Sequence, residues 1–218
     1  MPRVSYASIS KPLPDRLEDA IELGRQAGKL VGRHGVECRL LAADTAGEQT
    51  GTFVFSAEFE SVERYGAIIQ EIDDDKELRE LQIGLTRSTS PIVPLSTSLS
   101  VEIPLPTEHK RGRGSIVEVH LTKPALGRFE NSVQESETVA TLLEKAGAVG
   151  VQLFTLTFAG SQSGSTGIAV EWPSVAAQAR SSAIWSSDPV GTSLMTGMLN
   201  GTGASTLISS ALYRDIPL

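Results

Sequence analysis

The sequence predicts an α+β protein made of two tandem βαββαβ units, their antiparallel sheets packed face to face as a pseudo-twofold barrel. Three observations predict it. Lys11-Pro12-Leu13-Pro14-Asp15-Arg16-Leu17-Glu18 returns 112 residues later as Lys123-Pro124-Ala125-Leu126-Gly127-Arg128-Phe129-Glu130, with four of eight positions identical. Ala46-Gly47-Glu48-Gln49-Thr50-Gly51 matches Ala159-Gly160-Ser161-Gln162-Ser163-Gly164, and the last strands of the two halves match over Leu95–Leu105 and Ile208–Leu218 with five of eleven identical. The segments between these anchors read as the same elements in the same order. Two copies are too few for a solenoid, so a pseudo-twofold pair is expected. The expected boundaries are 1–105 for the first repeat, 106–114 for a charged, glycine-containing linker, and 115–218 for the second repeat.

Arg3–Ser10 is rich in β-compatible residues and reads as the first strand. Lys11-Pro12 should end it, because proline cannot donate to a ladder. A helix follows, with Leu17, Ala20, Ile21, Gly24, Ala27, Gly28 and Val31 at helical spacing and Gly35 as its C-terminal stop. The second half repeats this with Phe129, Val133, Val139, Ala140 and Leu143, ending at Gly147. Second strands are expected over Cys38–Ala43 and Val151–Phe158. The Ala-Gly-x-Gln-x-Gly segments should turn a hairpin, since their glycines allow positive φ. Third strands follow over Thr52–Phe59 and Gly167–Trp172. Ser61 is a good N-cap for a second helix faced by Val62, Tyr65, Ile69 and Ile72. Asp73–Asp75 break it, and Leu78 and Leu81 mark a further short turn of helix. Fourth strands are expected over Leu95–Ile103 and Ile208–Ile216.

The order βαββαβ is the split-βαβ, ferredoxin-like arrangement. With the stretch Glu58-Phe59-Glu60-Ser61-Val62-Glu63-Arg64-Tyr65 and the acidic break Asp73-Asp74-Asp75 before a short helix ending in Leu81, the chain resembles the dimeric α+β barrel superfamily. The resemblance covers nearly all of both copies and implies that one chain carries both halves of a barrel that a homodimer usually makes. Members include small monooxygenases, haem-handling proteins, isomerases of aromatic degradation and proteins of no known activity, so the fold alone fixes little about function.

The net charge of −7 disfavours nucleic acid, which demands a basic face. The one basic cluster, Lys110, Arg111 and Arg113, falls in the linker and reads as a solvated loop. No apolar run approaches the roughly 18 residues of a membrane span. Cys38 is alone, so no disulfide framework exists. The first residues enter a strand with no signal-peptide pattern, and a cytoplasmic location is expected. The histidines His34, His109 and His120 are scattered, so metal binding is not supported. The sequence leaves the cofactor open, haem and flavin included.

Strand alternation sorts the candidate site. In the first strand of the second copy, Val117, Val119 and Leu121 form one face, expected to pack on the helices. Ile116, Glu118, His120 and Thr122 form the other, expected to face a barrel interior. Tyr6 and Ser8 are the first-copy equivalents of Glu118 and His120. Tyr213 is expected on the same interior. Tyr6, Glu118, His120 and Tyr213 are therefore the expected ligand-binding residues, with His120 the candidate catalytic one. A histidine beside a carboxylate at i, i+2 can transfer protons, because the carboxylate stabilises the imidazolium. The competing reading is a structural hydrogen-bond network.

These readings converge on a small-molecule-binding protein with cofactor-free monooxygenase or isomerase-like chemistry in a pocket between sheet and helices; whether it is an enzyme stays open. The alternative is a non-enzymatic structural or interaction module. The second helix of the second repeat, Val175-Ala176-Ala177-Gln178-Ala179, has lost the charges of its counterpart. It is expected to be buried, within the chain or in a homodimer.

Overall fold

A computed structural model describes residues Met1–Leu218. They form two compact units. Unit 1 comprises Met1–Val101 with Thr157–Gly160 and Asp215–Leu218; unit 2 comprises Glu102–Leu156 and Ser161–Arg214.

Unit 1 runs β1 (Val4–Pro12), α1 (Leu17–Gly32), β2 (Glu37–Thr45), β3 (Phe53–Phe59), α2 (Val62–Asp74), α3 (Lys76–Leu85) and β4 (Ile92–Glu102). Its strands lie antiparallel in the order β4-β1-β3-β2. Unit 2 runs β5 (Ile116–Pro124), α4 (Phe129–Lys145), β6 (Gly150–Phe158), β7 (Thr166–Trp172), α5 (Val175–Ser187), α6 (Pro189–Asn200) and β8 (Ser205–Ile216). Its order is β8-β5-β7-β6. Placing the first strand between the third and fourth is the ferredoxin-like order expected of βαββαβ.

The local signals act where the sequence puts them. Ser61 Oγ accepts from Arg64 N and Ser174 Oγ accepts from Ala177 N, satisfying first-turn donors of α2 and α5. Asp75 ends α2 and also caps α3, accepting from Glu77 N and Leu78 N. Asp188 does the same for α6. The expected short turn after Asp75 is a helix of 10 residues, because this cap restarts the helix at once. The hairpin turns hold a short 3-10 helix in each unit, with positive φ at Gly47 and Gly51 and again at Gly160 and Gly164. At the repeated Lys-Pro stretch, Asp15 (φ 63°) and Gly127 (φ 72°) share the left-handed turn into α1 and α4. The first strands outrun their expected end at Ser10. β1 stays paired with β4 to Pro12 across a register shift between Ile9 and Ser10, and β5 stays paired with β8 to Pro124 across one after Leu121.

Each core lies between one face of a sheet and its helices. In unit 2 Trp172 is fully buried among Ile116, Val139, Ala140, Leu143 and Val170. In unit 1 Phe59 holds the matching position beside Val4, Ile68, Ile72 and Leu78, its ring edge-to-face with Tyr65 at 5.0 Å.

The 106–114 segment is largely exposed but is pinned at His109. His109 is 7% exposed, its Nε2 3.2 Å from Glu137 Oε2 and its Nδ1 3.4 Å from Glu144 Oε1 on α4. Arg111 bridges to Gly150 through backbone and to Glu102 through its guanidinium at 2.8 Å. Lys110, Arg111 and Arg113 are exposed, as read from the sequence; the Arg111–Glu102 pairing, which local sequence could not reveal, ties down a side chain that is still solvated.

Helix α5, whose first five residues carry no charge, is mostly exposed. Ala177 and Ser181 are buried, while Val175, Ala176, Ala179, Ala183 and Ile184 face outward. Burial within the chain is therefore corrected: one small face of this helix suffices to cover the sheet.

Candidate functional site

β5 presents Ile116, Glu118, His120 and Thr122 on one face, as alternation requires, but that face looks toward the helices. Ile116 packs with Val139, Ala140 and Leu143 of α4, and Trp172 Nε1 donates to Glu118 Oε2 at 2.9 Å. The expectation that Val117, Val119 and Leu121 meet the helices is corrected. The pattern identifies two faces but not their sides, because both are covered: Ile116 is 3% and Val117 4% exposed.

Register removes Tyr213 from this group. Tyr213 lies opposite Val117 across β5 and β8, and directly opposed residues share a face. Tyr213 is buried on the side away from Glu118 and His120, and burial pushes its phenol up from the ordinary value. Tyr6 is opposite Ala57 and Leu99 in unit 1 and packs toward the helices there. It occupies in unit 1 the place that Glu118 takes in unit 2. The structure thus brings Glu118 and His120 together, gives Tyr6 a cavity of its own in unit 1, and excludes Tyr213 from both.

The unit 2 cavity has a volume of about 170 Å3. Glu118, His120 and Thr122 form its sheet wall; Val139, Leu143, Trp185 and Met198 supply apolar helix surface, and Ser181, Ser182 and Ser186 line its α5 side. Gly167 leaves the space that Phe154 and Leu121 occupy: a Cβ there would fall 2.3 Å from the Phe154 ring.

His120 Nε2 is 3.1 Å from Glu118 Oε1, and His120 Nδ1 is 2.8 Å from Ser210 Oγ. The carboxylate fixes the tautomer, since an anion takes the Nε2 proton and leaves Nδ1 to accept from the Ser210 hydroxyl. Burial pushes the Glu118 carboxyl up, but the hydrogen bond and charge of His120, with hydrogen bonds from Trp172 and Gln178, outweigh it and hold the group below its ordinary value. Glu118 is therefore an anion backing an imidazole, with Ser210 at the exposed end of the chain of contacts. Ser210 was missed in the sequence because its pairing with His120 depends on the β5–β8 register; a serine in a strand has no signal of its own.

No group of three or more His, Cys, Asp or Glu side chains is arranged to hold a metal ion. The haem-handling members of the superfamily that the sequence resembles raise the question of a porphyrin. The residues do not fit one here. The cavity barely exceeds the roughly 150 Å3 that holds benzene, far too small for a porphyrin, and both nitrogens of His120 are engaged.

No protein-family model matches the chain, and a search of the curated proteins finds no match. Solved structures do match over nearly all of it. An anthrone oxidase-like protein is similar at TM-score 0.63 and 11% identity, covering 99% of this chain and 92% of its own. A monooxygenase candidate from Fusobacterium nucleatum subsp. nucleatum is similar at TM-score 0.62 and 10% identity, covering 99% and 93%. A variant chlorite dismutase from Candidatus Nitrospira defluvii is similar at TM-score 0.57 and 8% identity, covering 99% and 92%. At such identities the likeness is one of fold. The chain therefore has the dimeric α+β barrel fold, with two tandem ferredoxin-like units carried in a single polypeptide.

Proposed function

We propose that the unit 2 cavity binds a small, mostly apolar molecule carrying one ionisable proton, and that His120, backed by Glu118, removes that proton. The observation that carries this reading is the engagement of His120 between a carboxylate and a hydroxyl at the wall of a mostly apolar cavity. A ligand O–H or acidified C–H that displaces Ser210 from Nδ1 meets a base whose cation Glu118 stabilises. Proton removal is the first step that cofactor-free oxygenation and isomerisation share, which is why the reading stays within those two classes. The cavity volume favours a single ring. Similar folds in an anthrone oxidase-like protein and a monooxygenase candidate support an oxidative version.

The test uses 4-nitrophenol, whose anion absorbs in the visible. At a pH below the phenol's own pKa, titration with the protein raises the phenolate band, and His120→Ala abolishes the rise. An unchanged spectrum with the wild type rejects the reading.

The same proposal extends to the chain's history and setting. The matched Asp15 and Gly127 turns, Ser61 and Ser174 caps and paired glycines support a duplicated ancestral unit. The lone Cys38 supports a cytoplasmic location. A second reading, an interaction role for α5, is favoured by its outward row of Val175, Ala176, Ala179 and Ala183. The partner that fits is a second copy of this chain, since small residues let helices of two copies approach closely. Native mass would then give a dimer that Ala179→Glu converts to monomer; a wild-type monomer removes the reading.

A further inference from the structure

The unit 1 cavity is larger and chemically different. Its volume is about 270 Å3, and it lies between the sheet, chiefly β1 and β3 with Leu40 of β2 and Ile92 of β4, and the helices α1, α2 and α3. Its walls are apolar and partly aromatic, with Leu40, Phe53, Phe55 and Phe59 from the sheet and Ala27 and Leu81 from the helices. Three hydroxyls, Tyr6, Ser8 and Ser10, line up at alternate positions of β1 along one wall. No lysine, arginine or histidine lines the cavity, and the sole charged lining residue is Asp73. Where unit 2 has a histidine and a carboxylate, unit 1 has Ser8 and Tyr6. Burial pushes the Tyr6 phenol up, so it remains a neutral hydrogen-bonding group.

We infer that unit 1 holds a second binding site, for an uncharged apolar molecule of about two fused rings bearing one hydroxyl or carbonyl. Size follows from volume: the cavity is nearly twice the roughly 150 Å3 that holds benzene. Neutrality follows from the lining, which offers no cation to an anionic head and sets Asp73 against one. The single polar group follows from the hydroxyl row, which can donate to or accept from one oxygen while the rest of the ligand stays in apolar contact. With no histidine and no His–carboxylate pair in its lining, this site is one of binding. It stands independently of His120.

The probe is 2-naphthol, whose fluorescence changes on leaving water and whose two rings exceed the unit 2 cavity. Titration of the full chain should give one binding event. Ala27→Trp, from half-exposed α1, should weaken it at least tenfold by filling the cavity, and Leu81→Trp on α3 should do the same from the other side. His120→Ala should leave it unchanged, and 2-naphthoate should bind at least tenfold more weakly than 2-naphthol. Circular dichroism melts verify that each tryptophan variant is folded. The inference is overturned if 2-naphthol does not bind, if the folded variants bind it as the wild type does, if His120→Ala abolishes binding, or if 2-naphthoate binds equally well.

Discussion

Trp172 Nε1 donates a 2.9 Å hydrogen bond to Glu118 Oε2, while the other oxygen of that carboxylate receives His120. The indole is fully buried at the end of β7, so the carboxylate is held by the core itself. In unit 1 the two positions change together, Phe59 replacing the indole and Tyr6 the carboxylate.

Trp172→Phe removes the donor and leaves a half-buried carboxylate oxygen without it. The expected cost is about 1–3 kcal/mol of unfolding free energy, measured by urea denaturation at neutral pH. The Glu118 carboxyl should also titrate at higher pH than in the wild type.

Glu118 gives the acid side of the stability curve its sign. Its folded value is held below the ordinary glutamate value of about 4.3. The resulting stability is present above that ordinary value and is lost as pH falls through the lowered folded value. Glu118→Gln should flatten the fall in melting temperature on acidification, and an equally steep fall would contradict the assignment.

Much of this arrangement was legible in the sequence, and the reasons are local. Ser61 and Ser174, Gly47 and Gly160, and Asp15 and Gly127 each act through their own backbone neighbours, so their roles can be read without knowing the fold. Glu118 and His120 were found together because strand alternation is also local. What failed needed distant information. The side of the sheet that Glu118 faces depends on which face the helices cover. Tyr213 and Ser210 depend on the pairing register between β5 and β8, which sets Tyr213 opposite Val117 and Ser210 opposite His120. His109 depends on carboxylates of α4 that lie 28 and 35 residues further along.

His109 ties the segment between the repeats to α4. His109→Ala leaves Glu137 and Glu144 without their shared partner in a largely buried place, and about 1–3 kcal/mol of stability should be lost. Limited proteolysis should then cut within 106–114, where the wild type resists.

Gly112 permits the same segment to approach β6. A Cβ there would lie 2.5 Å from the Val149 carbonyl oxygen, a backbone atom that cannot swing aside. Gly112→Ala should lower the melting temperature and expose the same stretch to protease, while Gly84→Ala, where a Cβ meets nothing within 4 Å, should not.

Cys38 is held as a thiol. Burial, with the Glu37 carboxylate beside it, pushes its pKa up to about 12. Relative to a free cysteine it should form roughly a thousandfold less thiolate at pH 8. Native protein should resist iodoacetamide there and react once denatured. Because the raised value favours the neutral form, the associated stability is full below the ordinary thiol value and is lost as pH rises toward 12.

The most direct measurement is the visible absorbance of 4-nitrophenol titrated with wild-type protein and with His120→Ala at a pH below the phenol's own pKa. A phenolate band that grows with the wild type and not with the variant is the predicted result. Equal bands in the two proteins, or none in either, would contradict a base at His120.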